Sequence, residues 1–526
     1  MKNDKKADFL PIVLVILDGW GLAPASPSNP ISLAKTPNWD FFNRKFTHTE
    51  LIASGSKVGL PKNQDGNSEA GHMNIGAGRM VKQEAIIISE TIRNGTFFKN
   101  PALLEAVNWA KKRKSNLHLM GLLSNGESAH ADPLHLYALL DFLKKEKFHR
   151  VYLHLFTDGR DSSPHAAARL VSKLINNFKN NEIISTITGR FYAMDRIKKW
   201  PRTALAYNAM VLGEGIASDN PYKAITEAYN RGETDEFILP TVILNPKKKP
   251  KFINDKDAVI FFNLRSDRAR QMAKPFVQKH FEHENHRAFK REKVLKNIKF
   301  IALTDFGPDL DNMITAFPSI VLDNTLPLVL KDYQQLYLAE REKYAHVTYF
   351  FNGGQGKPVN GEKWQVVKSL GRQNYADYPQ MSIYKLTDIV LQNLKKKKVE
   401  FLTVNFANAD MIGHTGDLKA AIKAVKIIDQ CLGKIYKLIK LINGTLIVTA
   451  DHGNIEEMIN LKTSEQDTEH STNPVPFIIV NDKFKKNKIK LRKNGVLGDI
   501  APTILRLFDL KKPKEMTGKN LIINKI

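Results

Sequence analysis

The stretch Ile12-Val13-Leu14-Val15-Ile16-Leu17-Asp18-Gly19 is six aliphatic residues in a row, stopped by an acid and a glycine. A strand with one wet face would alternate apolar and polar residues. An unbroken run is the pattern of a strand buried on both faces, as in a parallel sheet covered by helices. Asp18 then falls at the carboxyl end of the strand, where open α/β sheets bind their ligands. Two distant runs end the same way. Residues 401–406 lead into Asn408-Ala409-Asp410, and residues 445–449 lead into Ala450-Asp451-His452-Gly453.

Between these ends lies a second series of short apolar runs separated by helical stretches. Residues 117–123 end in Ser124-Asn125-Gly126, and 151–156 in Thr157-Asp158-Gly159-Arg160-Asp161. Residues 183–188 end in Gly189-Arg190, and 258–262 in Asn263-Leu264-Arg265. This is βαβ repetition, and it predicts another parallel sheet. The expected architecture is therefore α/β: a doubly wound sheet domain made from residues 1–80 and 315–526, with an inserted second α/β domain at 83–310. Helical periodicity is expected from about 81 to 108, with Glu84, Glu90 and Arg93 on the polar side, and a linker at 307–311.

At 526 residues, 42% hydrophobic and 25% charged, the chain has the composition of an ordinary globular protein with ample core. Its single cysteine, Cys431, excludes an internal disulfide and points to a reducing, cytoplasmic setting. The apolar run at 9–17 ends in Asp18-Gly19 without a small-residue cleavage signature, so it reads as a strand rather than a signal peptide. No apolar stretch approaches the roughly 18 residues that span a bilayer, so no membrane role is expected. The net charge of +25 raises nucleic-acid binding as an alternative. The lysines, however, fall in scattered clusters at 111–114, 247–249, 395–398 and 485–490, without aromatics interleaved for base stacking. Solvated helix ends and loops account for them, and no nucleic-acid partner is expected.

Chemistry is concentrated in a few places. Ser68 stands in Asp65-Gly66-Asn67-Ser68-Glu69-Ala70-Gly71-His72, among glycines that let backbone approach a phosphate. A serine needs a base or a metal to become a nucleophile. Asp410 and His414 are four apart, which puts both on one face of a helix or turn. Asp451 and His452 end a strand, and His470 opens the loop His470-Ser471-Thr472-Asn473-Pro474. With Asp18 they make three carboxylates and three imidazoles, a mixed O/N set sufficient for two divalent cations, with Ser68 as a further ligand. Several arginines at strand ends suggest an anion clamp, because a guanidinium fork matches carboxylate and phosphate.

The segments Val13–Gly21, Gly66–His72, Asn408–Gly416 and Thr449–Asn454 resemble those of the cofactor-independent (2,3-bisphosphoglycerate-independent) phosphoglycerate mutases of the alkaline-phosphatase-like superfamily. So do Gly189-Arg190-Phe191-Tyr192-Ala193-Met194-Asp195-Arg196 and Tyr344-Ala345-His346-Val347-Thr348, and the resemblance spans essentially the whole chain. It implies an alkaline-phosphatase-like metal-binding domain carrying an inserted substrate-binding domain. It further implies that Asp410, His414 and His470 bind one Mn²⁺, and that Asp18, Ser68, Asp451 and His452 bind the other, with Co²⁺ or another divalent ion as substitute. Ser68 would carry the phosphoryl group. His130, Arg160, Asp161, Arg190, Arg196, Arg265, Arg268 and Lys343 would hold the phosphoglycerate. The run Ser124–His130 is one residue longer than the family's Ser-Asp-Gly-Gly-Val-His-Ser-His-like run and has one histidine, and Asp65 stands where the family has methionine. The expected activity is interconversion of 3- and 2-phosphoglycerate in glycolysis and gluconeogenesis by a monomer, with domain closure keeping water from the phosphoserine. A phosphatase or other phosphomutase of the superfamily would keep the metal set and lose the arginine-ended inserted domain.

Overall fold

The computed structural model describes residues 9–126, 128–245, 250–307, 309–310, 312–369, 374–486 and 489–524. Residues 1–6, 127, 247–249, 308, 311 and 487–488, on which parts of the sequence reading fall, lie outside the described residues. The chain divides into two compact units, Met1–Gln83 with Ile320–Ile526, and Glu84–Ser319.

The first unit is built on an eight-stranded sheet in the order Glu362–Val367, Gln335–Glu340, Phe401–Phe406, Ile12–Leu17, Thr445–Thr449, Val475–Val480, His48–Ile52, Gly495–Val496. Its first five strands are parallel, and Val475–Val480 runs antiparallel to both neighbours. Ile12–Leu17 lies at the centre between Phe401–Phe406 and Thr445–Thr449, and all six of its residues are fully buried. Full burial of such side chains contributes about 1.5–3 kcal/mol each. The register pairs Leu17 with Phe406 and Ile16 with Thr449, so the three aspartate-bearing turns leave the sheet at one edge. There the Asp18 and Asp410 turns touch. A Cβ on Gly19, at φ +72°, would lie 2.7 Å from the Asp410 Cα, and only glycine fits.

The second unit has its own eight-stranded sheet. Its six strands Met313–Phe317, Lys299–Thr304, Ala258–Phe261, Leu117–Leu123, Val151–Thr157 and Ile183–Gly189 are parallel neighbours in that order. Thr241–Ile243 and Ile216–Ser218 complete it, running the other way. Met313–Phe317 pairs with Lys299–Thr304, so the second unit extends past the expected boundary at 310, and residues 315–319 leave the first.

The helical periodicity over 81–108 is not one helix. It is Glu84–Arg93, a short 3₁₀ turn at Thr96–Lys99, and Pro101–Arg113. Asn94-Gly95 stops the first, with Gly95 left-handed, and the Asn100 side chain caps the last, with Pro101 in its first turn. No helix among the described residues is long and apolar enough to cross a membrane.

Candidate active site

Ser68 opens the helix Ser68–Ala77, and the Asn67 side chain caps it by accepting from the Ala70 amide. The hydroxyl therefore sits at a helix N-terminus, where unpaired N–H groups favour an anion. The helix packs close to the Asp451 turn. A Cβ on Gly71 would lie 2.6 Å from the Asp451 carbonyl oxygen, so a larger residue would push Ser68 away from it.

Ser68 Oγ donates to Asp18 Oδ1 at 3.1 Å and lies 3.0 Å from His452 Nε2. Lys343, near the end of the strand Gln335–Glu340, is 5% exposed and places its Nζ 2.7 Å from Ser68 Oγ. The same ammonium donates to Asp18 Oδ1 and Asp410 Oδ2, both at 2.6 Å. Burial, the largest single influence, pushes both carboxyls up, but Lys343 together with hydrogen bonds from His452 to Asp18 and from His414 and His470 to Asp410 outweighs it and holds both well below the ordinary carboxylate range. Burial would lower the Lys343 ammonium, and Asp18, Asp410 and Asp451 more than reverse that.

Two sets of three ligand atoms each lie within 4.8 Å of one another: Asp410, His452 and His470, and Asp18, Asp451 and His452. His452 is common to both. His414 borders the first set, its Nε2 3.3 Å from Asp410 Oδ1 and 3.1 Å from His470 Nε2. The imidazoles are preset for metal. Nδ1–H of His414 donates to the Thr468 carbonyl (2.7 Å), that of His470 to Gly66 (2.8 Å) and that of His452 to Gly453 (3.2 Å). Each Nε2 is left facing the carboxylates, the ring edge a cation would take. Asp451 Oδ2 is buried without a hydrogen bond of its own, and such an oxygen is costly unless a cation takes it up. The donor set fits a divalent ion.

In the second unit, His130, Arg160, Arg190 and Arg265 follow the carboxyl ends of four adjacent parallel strands. Arg190 is 3% exposed and committed to Asp158 Oδ1 (2.5 Å) and Asp161 Oδ2 (2.9 Å), with Ser128 also donating to Asp161 at 2.6 Å. Arg160 is more than half exposed and 3.9 Å from Glu236. Arg196 reaches Asp267 Oδ2 at 2.8 Å, and Arg268 donates to the Met194 carbonyl. Burial, helped by Arg196 and Arg190, pushes Arg268 down to about 10. Burial likewise pushes His130 down to about 3, against Asp267, so its ring is neutral at pH 7. Crowded cations of this kind favour an anionic ligand.

Residues 88–308 match the family model described as BPG-independent PGAM N-terminus, and residues 314–508 match Type I phosphodiesterase / nucleotide pyrophosphatase. The chain is 45% identical over 516 residues to the 2,3-bisphosphoglycerate-independent phosphoglycerate mutase of Clostridium kluyveri, covering 97% of this chain and 99% of that one. The chain belongs to the 2,3-bisphosphoglycerate-independent phosphoglycerate mutase family. Phosphoglycerate mutase 1 of that type from Methanosarcina barkeri is 46% identical over 524 residues, covering 98% of each chain. A solved phosphoglycerate mutase of Leishmania mexicana, crystallised at low cobalt concentration, superposes with a TM-score of 0.80 at 27% identity, covering 100% of this chain and 99% of that one.

Within this mutase fold, several residues that sequence reasoning left unassigned support the site. Glu456 is fully buried and accepts from the Gly21 and Asn454 amides, both at 2.9 Å, from Ser471 Oγ, and from Asn473 Nδ2 at 3.0 Å. It ties the Asp18, Asp451 and His470 loops together. Asp158 and Asp267 do similar work in the second unit. Their signal was visible as acids beside strand-end arginines, but which arginine each takes is decided by the fold.

Proposed function

We propose that this chain interconverts 3-phosphoglycerate and 2-phosphoglycerate, a glycolytic and gluconeogenic isomerisation, through a phosphoserine at Ser68. The supporting observation is the placement of Ser68 Oγ, at a helix N-terminus and within 3.1 Å of Asp18, His452 and Lys343.

Asp410, His414 and His470 would hold one divalent cation and Asp18, Ser68, Asp451 and His452 the other, with His452 between them. Mn²⁺ suits the borderline imidazole ligands, and Co²⁺ is the nearest substitute. When bound, the cations lower the pKa of the serine hydroxyl and offset charge on the phosphoryl group. Ser68 Oγ attacks phosphorus, the bond from phosphorus to the glycerate 3-oxygen breaks, and the serine proton ends on that oxygen. Lys343 donates to the charge developing around the phosphoryl group. The glycerate 2-oxygen then attacks the phosphoserine, its proton returns to Ser68, and 2-phosphoglycerate leaves. His130, Arg160, Asp161, Arg190, Arg196, Arg265 and Arg268 hold the glycerate carboxylate and hydroxyls meanwhile. The single cysteine supports a reducing, cytoplasmic setting, and we assign a monomer with no membrane or nucleic-acid partner.

Chelation should abolish turnover, and Mn²⁺ or Co²⁺ should restore it better than Mg²⁺. The metal-free His452 imidazole, lowered by burial but raised more by Asp451 and Asp18, sits at about 10, and His414 is raised by Asp410. Cations must displace those protons, so Mn²⁺ affinity should strengthen as pH rises and weaken toward acid. Titration calorimetry at several pH values checks the sign, and full activity in a demetallated sample would refute the assignment.

Arg265→Ala should lower isomerisation and raise the ratio of free phosphate to 2-phosphoglycerate. Losing a charge-assisted contact is worth about 1.5–3 kcal/mol, tenfold or more in glycerate retention. Glycerate that leaves early strands the phosphoserine for water. Following both products together tests this, and an unchanged ratio would remove the retention role.

A further inference from the structure

Asn405 is a fully buried amide in the strand Phe401–Phe406. Burying such a group is costly unless it is hydrogen bonded. Its Nδ2 donates to Asp18 Oδ2 at 2.6 Å and lies 3.1 Å from His72 Nε2. Its own Oδ1 has no hydrogen-bond partner among the described residues. The amide therefore gives up an acceptor to aim both N–H groups at these neighbours. The reverse orientation would set Oδ1 against a carboxylate oxygen.

That orientation settles the His72 ring. Nε2 accepts from Asn405, so the proton is on Nδ1, which donates to the Ser68 carbonyl at 2.9 Å and lies 3.1 Å from Asp451 Oδ2. His72 is fully buried on the helix that Ser68 opens. A chain of contacts thus runs from Asp18 through Asn405 to His72 by hydrogen bonds, and from His72 to Asp451 Oδ2 by a 3.1 Å approach that is not a hydrogen bond, with a branch to the backbone of Ser68. It crosses from one candidate ligand carboxylate to another.

We propose that His72 and Asn405 form a positioning bridge that fixes the Asp18 and Asp451 carboxylates relative to each other and to Ser68, and so sets the affinity of this ligand set for its divalent cation. This rests on the metal reading above. Neither residue touches the reacting atoms. Both act through the carboxylates they orient, as partners outside a metal's ligands generally do.

The test is Mn²⁺ binding to the metal-free full-length protein by titration calorimetry, for the parent, His72→Asn, Asn405→Ser and the double variant, with thermal unfolding of each metal-free protein alongside. Each single change should weaken binding about 10–100-fold. A chain is broken once, so the double variant should be no more than about threefold weaker than the weaker single. At saturating Mn²⁺ the KM for phosphoglycerate should stay near the parent value while kcat falls. Single variants binding Mn²⁺ within about threefold of the parent, or losses that multiply in the double, would overturn the bridge. If these variants do not fold, His72→Gln and Asn405→Thr keep more of the bulk, and failure of all four to fold makes the role structural and overturns it too. A parent that binds no Mn²⁺ sinks the metal reading instead, a result distinct from either.

Discussion

Ser68→Ala should abolish isomerisation and phosphate release together, with turnover falling on the order of 10⁵–10⁶-fold, as when a covalent catalyst loses its nucleophile. Among the described residues, Ser68 is the hydroxyl on which the Asp18, His452 and Lys343 atoms converge. Alanine at the first turn of the helix Ser68–Ala77 leaves the Asn67 cap in place, so the fold should survive. Phosphoglycerate should still bind, because the arginines of the second unit are untouched. Assaying 2-phosphoglycerate and free phosphate in the same samples reads both activities. Retained isomerisation in this variant would remove the phosphoserine route.

The second large effect is expected from Lys343→Met. Removing one partner of a buried ion pair leaves the other charge unpaired and destabilises by about 3–5 kcal/mol. Here Asp18 and Asp410 would both lose their ammonium. Loss of a preorganised donor at the phosphoryl group should lower kcat about 10²–10³-fold as well. The pH dependence should change sign. In the parent, the Asp18 and Asp410 carboxyls lie below their ordinary 3.8, so their stabilisation is complete above about pH 4 and lost in stronger acid. In the variant, burial, the largest single influence on both carboxyls, is opposed by the neighbouring histidines alone, and both carboxyls should rise. The metal-free variant should then be least stable near neutrality and gain stability as pH falls through the raised values. Denaturant unfolding at pH 7 and pH 5 measures this, and a variant as stable as the parent at both would contradict it.

The centre of the first sheet was legible because its strands are so one-sided chemically. The unbroken aliphatic run at Ile12–Leu17 and the Leu-Ile-Val centre of Thr445–Thr449 read as buried strands, and an acid just after them has one place to go. His48–Ile52 and Glu362–Val367 were not legible. They are partly exposed strands without a clean two-residue alternation, and their pairing depends on neighbours far along the chain. The breaks at Asn94-Gly95 and Asn100-Pro101 were written in the sequence, but apolar periodicity running through them masked both.

At the site, types of residue were legible and partnerships were not. Asp18, Asp410, Asp451 and His452 stood out at strand ends. Lys343 is one of 79 basic residues, and only family resemblance singled it out before the structure put its ammonium on Ser68. His72 lies inside the quoted Ser68 segment, yet its value comes from Asn405, 333 residues away. Sharing of His452 by two ligand sets is likewise a distance, which spacing along a chain cannot supply.

The central claim is that the phosphoryl group rests on Ser68 between its two positions on glycerate. The most direct measurement is rapid acid quenching of the Mn²⁺-loaded protein during turnover of 3-phosphoglycerate, followed by peptide mapping by mass spectrometry. Phosphate is expected on the peptide carrying Ser68 and on no other. Turnover with that peptide unmodified, or with phosphate trapped on a different residue, would contradict it.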